Sequence, residues 1–124
     1  QYKNMPISHT DMKDCLKQLE CRTVHQVQKM TEYMLPGTKF AFYLHAENVS
    51  PQMILPPALE VFRDVLVSVP GVISKYQYFH SADMTRFPKH AHGVKKEVHY
   101  GLAFEFEDID AVKLFVSKLI AIVS

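Results

Sequence analysis

Four histidines that could bind a metal lie between positions 80 and 99 of the chain. His90 and His92 flank a single alanine, and in an extended segment this spacing turns both imidazoles to one side, where zinc or copper could bind. His80 and His99 stand at the two ends of the region, and Asp83 could add a carboxylate. A solvated loop with incidental histidines is the simpler interpretation. We therefore predict no metal, and His80, His90, His92 and His99 remain the candidate ligands.

Tyrosines form the second group that could do chemistry, at Tyr43, Tyr76, Tyr78 and Tyr100. A phenol beside an imidazole can polarise a carbonyl or exchange a proton with a substrate. If the chain is an enzyme, its catalytic residues are Tyr76, Tyr78, His99 and Tyr100. The alternative is aromatic packing with the hydroxyls hydrogen-bonded at the edge of a sheet. The sequence has no glycine-rich phosphate loop and no Gly-x-Ser-x-Gly, His-Glu-x-x-His or Cys-x-x-Cys motif, so we predict no cofactor and lean against catalysis.

Basic side chains also gather in this region, and phosphate or an acidic partner could use them. They are Arg86, Lys89, Lys95 and Lys96. The glutamates that follow at 97, 105 and 107 indicate a mixed surface instead.

The elements that must position these groups are clearest over 97–116. Large apolar side chains alternate with polar or small ones along 97–107, which is the strongest strand signal a sequence offers. Asp108 can then cap a helix, because Ile109, Val112 and Phe115 follow at helical spacing.

Helical spacing also dominates the first third of the chain. Apolar residues recur every three or four positions, Ser8 or Thr10 can cap the start, and Pro36-Gly37 ends the pattern. We predict one amphipathic helix over 10–35, after an irregular arm at 1–9. The stripe is typical of a core, although methionine also suits adaptable interfaces. The candidate interface residues are Met12, Leu16, Leu19, Val27, Met30 and Met34.

The middle of the chain alternates between strand and helix signals. We expect strands at 38–45 and 72–80, turns at 46–50 and 51–55, a helix at 57–69 and a long loop at 81–96. The strand–helix–strand crossover favours a parallel pair of the first two strands, and the strand at 97–107 adds antiparallel. The predicted fold is α+β: a ferredoxin-like α/β sandwich with an extra N-terminal helix and no fourth strand.

A missing fourth strand would leave backbone groups exposed at one edge of the sheet, which folded proteins usually avoid. We predict that a neighbouring chain, the arm at 1–9 or residues beyond 124 cover this edge. The alternative is that 119–123 leaves the last helix and supplies the strand, as its β-branched residues permit.

Three stretches resemble the stress-responsive dimeric α/β-barrel family, often called Dabb domains. FAFYLHAENVSPQ at 40–52 is similar to the family's first strand running into a Ser-Pro helix start. VPGVISKY at 69–76 is similar to its Pro-Gly-Val entry into the second strand, and HYGLAFEFEDIDAVKLFV at 99–116 to its third strand and second helix. The resemblance covers 38–124 and leaves 1–37 as an N-terminal arm and amphipathic helix outside the domain.

The resemblance implies a domain that pairs sheet to sheet with a second copy into a closed barrel. Some members bind small hydrophobic ligands there, and a few are cofactor-free cyclases that use histidine and tyrosine. This chain departs from that pattern. Lys39 stands near the family's first histidine, Tyr100 takes the place of the histidine that opens the third strand, and SKLIAIVS replaces the family's His-Pro-x-His segment.

The leading hypothesis is therefore a non-catalytic association module, either a dimerising domain or an accessory subunit of a larger protein assembly. The alternative is a cofactor-free enzyme or a carrier that binds a small aromatic or polyketide-like ligand inside the barrel. That alternative requires an opening on the sheet face that carries Phe40, Phe42 and Phe104.

Composition excludes several other classes of partner. A chain of 124 residues suits one domain, and a net charge of +1 argues against a nucleic-acid surface. No apolar run approaches the ~20 residues that span a bilayer. Cys15 and Cys21 would lie on different faces of a helix, so we expect free thiols and an intracellular reducing compartment, which includes organelles such as the mitochondrion or plastid. Gln1 in first position fits a processed form, an import product or a fragment.

Overall fold

Helices and strands alternate irregularly in the computed structural model, which describes residues 7–27, 29–45, 50–91 and 97–124, without the side chains of Tyr76, His90 and Ala91. The helices are α1 His9–Gln18, α2 Arg63–Val67 and α3 Ile109–Val123, and a 3₁₀-helix, Pro57–Phe62, leads into α2. The strands are β1 Arg22–Val27, β2 Met30–Met34, β3 Ala41–His45, β4 Gln52–Leu55, β5 Val72–His80, β6 Lys89–Ala91 and β7 Glu97–Phe106. The predicted α+β class is confirmed. Within the described ranges, no helix is long and apolar enough to cross a membrane.

One antiparallel sheet runs through the chain in the order β1-β2-β3-β4-β7-β5, and β6 pairs with the start of β7. β4 and β5 each pair antiparallel with β7, so they run parallel to each other on its two sides. The predicted parallel pair of 38–45 with 72–80 is wrong, because β3 and β5 run in opposite directions with β4 and β7 between them. The sheet also crosses the predicted domain boundary between 37 and 38, since β2 pairs with β3.

The first helix ends much earlier than the helix predicted over 10–35. Glu20 adopts a left-handed φ of 66°. Its N–H donates to Lys17 O, and the N–H of Cys21 donates to Leu16 O. These two bonds make a Schellman motif, in which glycine is the usual residue at the left-handed position. Glutamate gives no stop signal in the sequence. The chain continues as β1 and β2, so the helix prediction is wrong beyond α1.

Strands β1 to β3 form a meander where the sequence predicted an open edge. β2 is buried along its whole length, so it lacks the alternation of a half-buried strand. Gly37, with φ of 71°, turns the chain between β2 and β3, and Leu35 N–H donates to Phe40 O across this turn. The edge beside β3 is therefore covered by the chain's own strands, which none of the predicted alternatives included. Residues 119–123 stay within α3.

Side-chain caps fix the starts of two helices. The N–H of Asp11 donates to Ser8 Oγ at 3.0 Å, and the N–H of Ala111 donates to Asp108 Oδ1 at 2.8 Å. The predicted helix after Asp108 is confirmed. Residues 1–6 of the predicted arm lie outside the described residues.

The segment from 51 to 71 differs from prediction in two places. Residues predicted as a turn at 51–55 form β4, which pairs with β3 on one side and β7 on the other. The predicted helix at 57–69 begins as the 3₁₀-helix and becomes the short α2. Gly71, with φ of 85°, then turns the chain into β5, and a Cβ there would lie 2.9 Å from the Ala111 side chain.

The strands predicted at 72–80 and 97–107 are confirmed as β5 and β7. The predicted loop at 81–96 contains β6, and its residues 92–96 lie outside the described part of the chain, as do 46–49 of the predicted turn.

The core divides into two layers, one on each side of the sheet. On the side we call the helical face, sheet side chains pack under the three helices; they include Tyr33, Phe42, Leu44, Met53, Leu55, Leu102, Phe104 and Phe106. On the side we call the open face, Tyr43, Ile54 and Ala103 pack against Met84 and Phe87. The segment 81–88 that carries Met84 and Phe87 lies across this face, and we call it the strap.

Candidate functional site

Two tyrosines and a histidine meet where β5 and β7 lie beside the 3₁₀-helix. His80 stands opposite Tyr100 in the register of the two strands, with ring centroids 6.2 Å apart. Tyr78 packs edge-on against Tyr100, with centroids 5.0 Å apart. The Tyr78 hydroxyl donates to Glu60 Oε1 at 2.7 Å, so the 3₁₀-helix supplies a fourth member. We call Glu60, Tyr78, His80 and Tyr100 the tyrosine cluster.

The Glu60 carboxylate favours the protonated form of Tyr78. The hydrogen bond to Glu60 raises the pKa of Tyr78 above its ordinary value of 10.0, desolvation and the negative charge add to the effect, and the nearby Arg63 opposes it. A phenol with a raised pKa stays neutral at physiological pH, so it donates hydrogen bonds rather than abstracting protons. Tyr78 therefore does not serve as a phenolate base, and its proton is committed to the hydrogen bond with Glu60.

The predicted catalytic set is divided between the two faces of the sheet. Tyr78 and Tyr100 are together, whereas His99, the neighbour of Tyr100 along β7, lies on the open face. Its Nδ1 is 2.6 Å from Phe87 O, and because a carbonyl only accepts hydrogen bonds, Nδ1 carries the proton. The Tyr76 side chain lies outside the described part of the structure.

The histidines predicted as candidate metal ligands are also separated. His80 and His99 belong to paired strands but to opposite faces. His92 and the side chain of His90 are outside the described residues. Among the residues that the structure does describe, no group of three histidine, cysteine, aspartate or glutamate side chains could hold a metal ion.

The sheet face expected to enclose a ligand is filled by the chain itself. Phe42 and Phe104 are fully buried under the helices, and the Phe104 ring lies 5.1 Å from that of Phe115. Phe40 is partly buried against the same core. Clefts of about 380 and 360 Å³ lie elsewhere, between α2 and α3 and between α1 and the β1–β2 hairpin. A smaller cleft of about 210 Å³ is lined by Phe40 itself. In the described part of the chain, Phe42 and Phe104 therefore border no opening.

The strap is fixed to the open face by packing and by one arginine. Met84 and Phe87 are buried, and the Phe87 ring packs edge-on against Tyr43 at 4.9 Å. The Arg86 Nε–H donates to Glu32 Oε2, and the Arg86 backbone N–H donates to the Tyr43 hydroxyl at 3.2 Å. We predicted that Arg86 belongs to a basic loop. In the structure, its guanidinium group pairs with a buried carboxylate of β2.

An apolar patch on the helical layer is the surface feature that stands out most. Val61 is 81% exposed, Leu114 is 53%, Val65 is 42% and Phe62 is 38%. Three of these residues fall within the 3₁₀-helix and α2, and Leu114 lies on α3, where it lines the cleft between α2 and α3. We call Val61, Phe62, Val65 and Leu114 the apolar patch. Clusters of exposed apolar side chains commonly mark sites of association.

We did not predict this patch, because we expected one continuous helix over 57–69. With 3.6 residues per turn, Phe62 and Val65 fall on the same stripe as Leu59 and Leu66 and would be buried with them. The 3₁₀-helix has about three residues per turn, which changes the phase between it and α2. Three residues per turn would also place Phe62 above Leu59, so the exposure of Phe62 does not follow from the helix period. Leu59 and Leu66 are buried, and Phe62 and Val65 are exposed.

The candidate interface residues of the first third serve the chain's own core. Met12, Leu16, Met30 and Met34 are buried, and Leu19 and Val27 are partly buried against the two core layers. An interface made from them would require the chain to open, so the apolar patch is the better candidate for association.

Comparisons of this chain with protein-family models, with curated proteins and with solved structures find no match.

Proposed function

We propose that the chain is a non-catalytic association module, similar to Dabb domains, that forms a dimer with a second copy through the apolar patch. The observation that carries this proposal is the exposure of four large apolar side chains on one layer of the protein. Burying a valine or leucine side chain stabilises an interface by about 1.5–3 kcal/mol, and a few such residues dominate most interfaces.

The arrangement of strands supports the likeness to Dabb domains. β4, the 3₁₀-helix with α2, and β5 make a β-α-β unit whose parallel strands flank β7, and α3 follows β7. The resemblance implies this order, with β4 as first strand in place of 38–45. β3 pairs with the outer side of β4, where a ferredoxin-like sheet has its fourth strand.

The strap favours the helical layer over the open face as the dimer surface. Sheet-to-sheet pairing in Dabb domains needs a free open face. Here Met84 and Phe87 cover that face, and Arg86 ties the strap to Glu32. A second copy that docks on the apolar patch leaves the strap in place.

The charged side chains around the patch are complementary to those around the same patch on a second copy. On α2, Asp64 is exposed beside the apolar side chains, and on α3, Lys113 and Lys118 flank Leu114. A two-fold axis that sets α2 of one copy against α3 of the other brings Asp64 towards these lysines at both ends. Such a self-complementary surface is what a symmetric dimer requires.

Light scattering after size exclusion, over a range of protein concentrations, tests the proposal. The chain should be dimeric, and Val61→Ser or Leu114→Ser should weaken the dimer by about tenfold each. Val24→Ser and Ile73→Ser, at exposed apolar residues outside the patch, are the matched controls and should have no effect. A monomer at every concentration would overturn the dimer. Capture of a different protein through the patch would replace it with the accessory-subunit function.

A second candidate function is supported by the Tyr78–Glu60 contact alone. The Tyr78 hydroxyl gives its proton to Glu60, so beside Tyr100 it can accept a hydrogen bond from the O–H group of a small aromatic ligand. The test is an NMR titration with benzyl alcohol. This function predicts amide shifts at the tyrosine cluster that disappear in Tyr78→Phe and persist in Tyr43→Phe, a change on the open face. Unchanged spectra, or equal loss in both variants, would exclude it.

A further inference from the structure

A polar groove of about 360 Å³ separates α1 from the β1–β2 hairpin. Lys13 and Lys17 line it from the helix, and Thr23, Gln26, Thr31 and Tyr33 line it from the strands. Its size is at the lower end of the range for small-molecule sites, roughly 300–1,000 Å³. The groove uses no residue of the apolar patch or of the tyrosine cluster.

The floor of the groove is held in place by the core. Thr31 and Tyr33 are buried on β2, and the Tyr33 ring stacks on Phe42 with centroids 5.6 Å apart. The Tyr33 hydroxyl shares a hydrogen bond with the Thr23 side chain. A ligand would therefore meet hydroxyl groups whose positions are already fixed, which lowers the entropy lost on binding.

The groove contains no reactive nucleophile of its own. Cys21 is buried in the floor, and burial raises the pKa of its thiol to about 11. Burial also raises the pKa of Tyr33. Both groups are neutral at physiological pH, so they can offer hydrogen bonds but not covalent attack.

The rim gives the groove a positive charge. Lys13 and Lys17 are four residues apart on α1, so both ammonium groups lie on one face of the helix. Asp14 is the acidic residue of the lining, which leaves the groove with an excess of one positive charge. Across the groove, the Gln26 amide can donate hydrogen bonds to oxygen atoms.

We propose that this groove binds a small polar molecule that carries one carboxylate or phosphate group. The oxyanion lies between Lys13 and Lys17, and the neutral part of the molecule forms hydrogen bonds with Thr31, Gln26 and Tyr33 on the floor. Every residue that lines the groove carries a polar atom, which favours a ligand with polar groups over a purely hydrophobic one.

An NMR titration of the full chain at constant ionic strength, with inorganic phosphate in one arm and acetate in the other, tests this proposal. Saturable amide shifts should appear in α1 and the β1–β2 hairpin, and the arm with the tighter binding identifies the anionic group. Lys13→Gln with Lys17→Gln should weaken binding by about tenfold or more, since charge-assisted contacts are lost. Thr31→Val, which keeps the shape of the side chain, should weaken it less.

The matched control is Lys39→Gln with Lys89→Gln, which removes the same charge from exposed positions outside both the groove and the apolar patch. If this pair weakens binding as much as the groove pair, the anions respond only to overall charge and the site is disproved. Shifts that do not saturate, or that survive the loss of Lys13 and Lys17, would also disprove it. The outcome is independent of the dimer, because neither pair of lysines belongs to the proposed dimer surface.

Discussion

Glycine at position 101 is required by the short distance between β7 and its neighbours. A Cβ there would lie 2.7 Å from Ile54 Cγ2, 2.7 Å from Leu55 O and 3.0 Å from the Phe87 ring. The backbone carbonyl cannot move without disturbing the β4–β7 ladder. Gly37 has a different reason to be glycine: its φ is positive, and nothing lies within 4 Å of an added Cβ.

Substitution of these two glycines should separate steric from conformational effects. Gly101→Ala should lower the free energy of unfolding by about 1–3 kcal/mol through overpacking, and Gly37→Ala by about 1 kcal/mol through its left-handed backbone. Asparagine tolerates the left-handed conformation, so Gly37→Asn should recover stability and Gly101→Asn should lose more. Urea denaturation measures all four variants. Equal effects of alanine and asparagine at both positions would contradict this explanation.

The buried thiol of Cys21 should make the fold sensitive to alkaline pH. Its pKa is raised from 9.0 to about 11, chiefly by burial and then by the neighbouring Cys15. The folded state therefore keeps the proton that the unfolded chain releases from about pH 9 upward. The stabilisation is complete below about pH 9 and is lost as the pH rises to about 11, by roughly 1–2 kcal/mol after allowance for partial solvation.

Urea denaturation over this pH range checks the prediction. Cys21→Ala should flatten the alkaline fall in stability, and Lys39→Gln should leave it unchanged. The same fall in the alanine variant would assign the effect to other groups, such as Tyr33, whose pKa burial also raises.

At the scale of elements, the sequence predicted well where a signal was local and poorly where it depended on packing. The alternation of β7 and the Asp108 cap of α3 were both correct, because each is written in adjacent residues. The end of α1 was missed because Glu20 occupies a position where glycine normally signals the stop. β2 was missed because both of its faces are buried, and its methionines happen to repeat at helical spacing.

The candidate sites could also be predicted where they depend on adjacent residues, and not where they depend on packing. Strand alternation puts Tyr78 with His80 on one face of β5, and it puts Tyr100 and His99 on opposite faces of β7. The register of the two strands, which sets His80 opposite Tyr100, was needed to bring the three together. The role of Glu60 could not be predicted, because it depends on how the 3₁₀-helix packs beside β5. The contact between Arg86 and Glu32 likewise joins residues 54 positions apart and follows from the path of the strap.

The strap should depend on that arginine. Arg86→Ala leaves the carboxylate of Glu32, 8% exposed, without its guanidinium partner, and should lower the free energy of unfolding by about 1–3 kcal/mol. Lys75→Ala breaks a more exposed pair with Glu105, at 3.7 Å, and should change stability by less than about 1 kcal/mol.

A double-mutant cycle with Glu32→Gln measures the pair itself. Arg86→Ala should do less harm when Glu32 is already neutral, with a coupling of about 0.5–3 kcal/mol. Additive effects would show that the strap is held by Met84 and Phe87 alone.

At the scale of the whole molecule, β7 joins the two halves of the sheet. β4 pairs with one edge of β7 and β5 with the opposite edge, while β6 pairs with the first residues of β7. β1, by contrast, is an edge strand with mostly exposed side chains. Amide exchange should therefore be slowest at Leu102 to Phe104 and fastest in β1. Native-state hydrogen exchange followed by NMR measures this order. Equal protection of β1 and β7 would show that the sheet opens only as a unit.

The position of β4 has a consequence during synthesis. Met53 of β4 pairs with Phe104 of β7, so the second partner of β4 is made long after the β1–β4 meander has left the ribosome. Until then, one edge of the short strand β4, which is apolar from Met53 to Leu55, has no partner strand. This edge could pair with a strand of another nascent chain. Pro51 precedes β4, and Pro56 and Pro57 follow it. Because proline cannot donate a backbone hydrogen bond, these residues limit how far a wrong strand could extend along that edge. The same prolines that hid the strand signal of β4 in the sequence thus limit wrong strand pairing while the chain is incomplete.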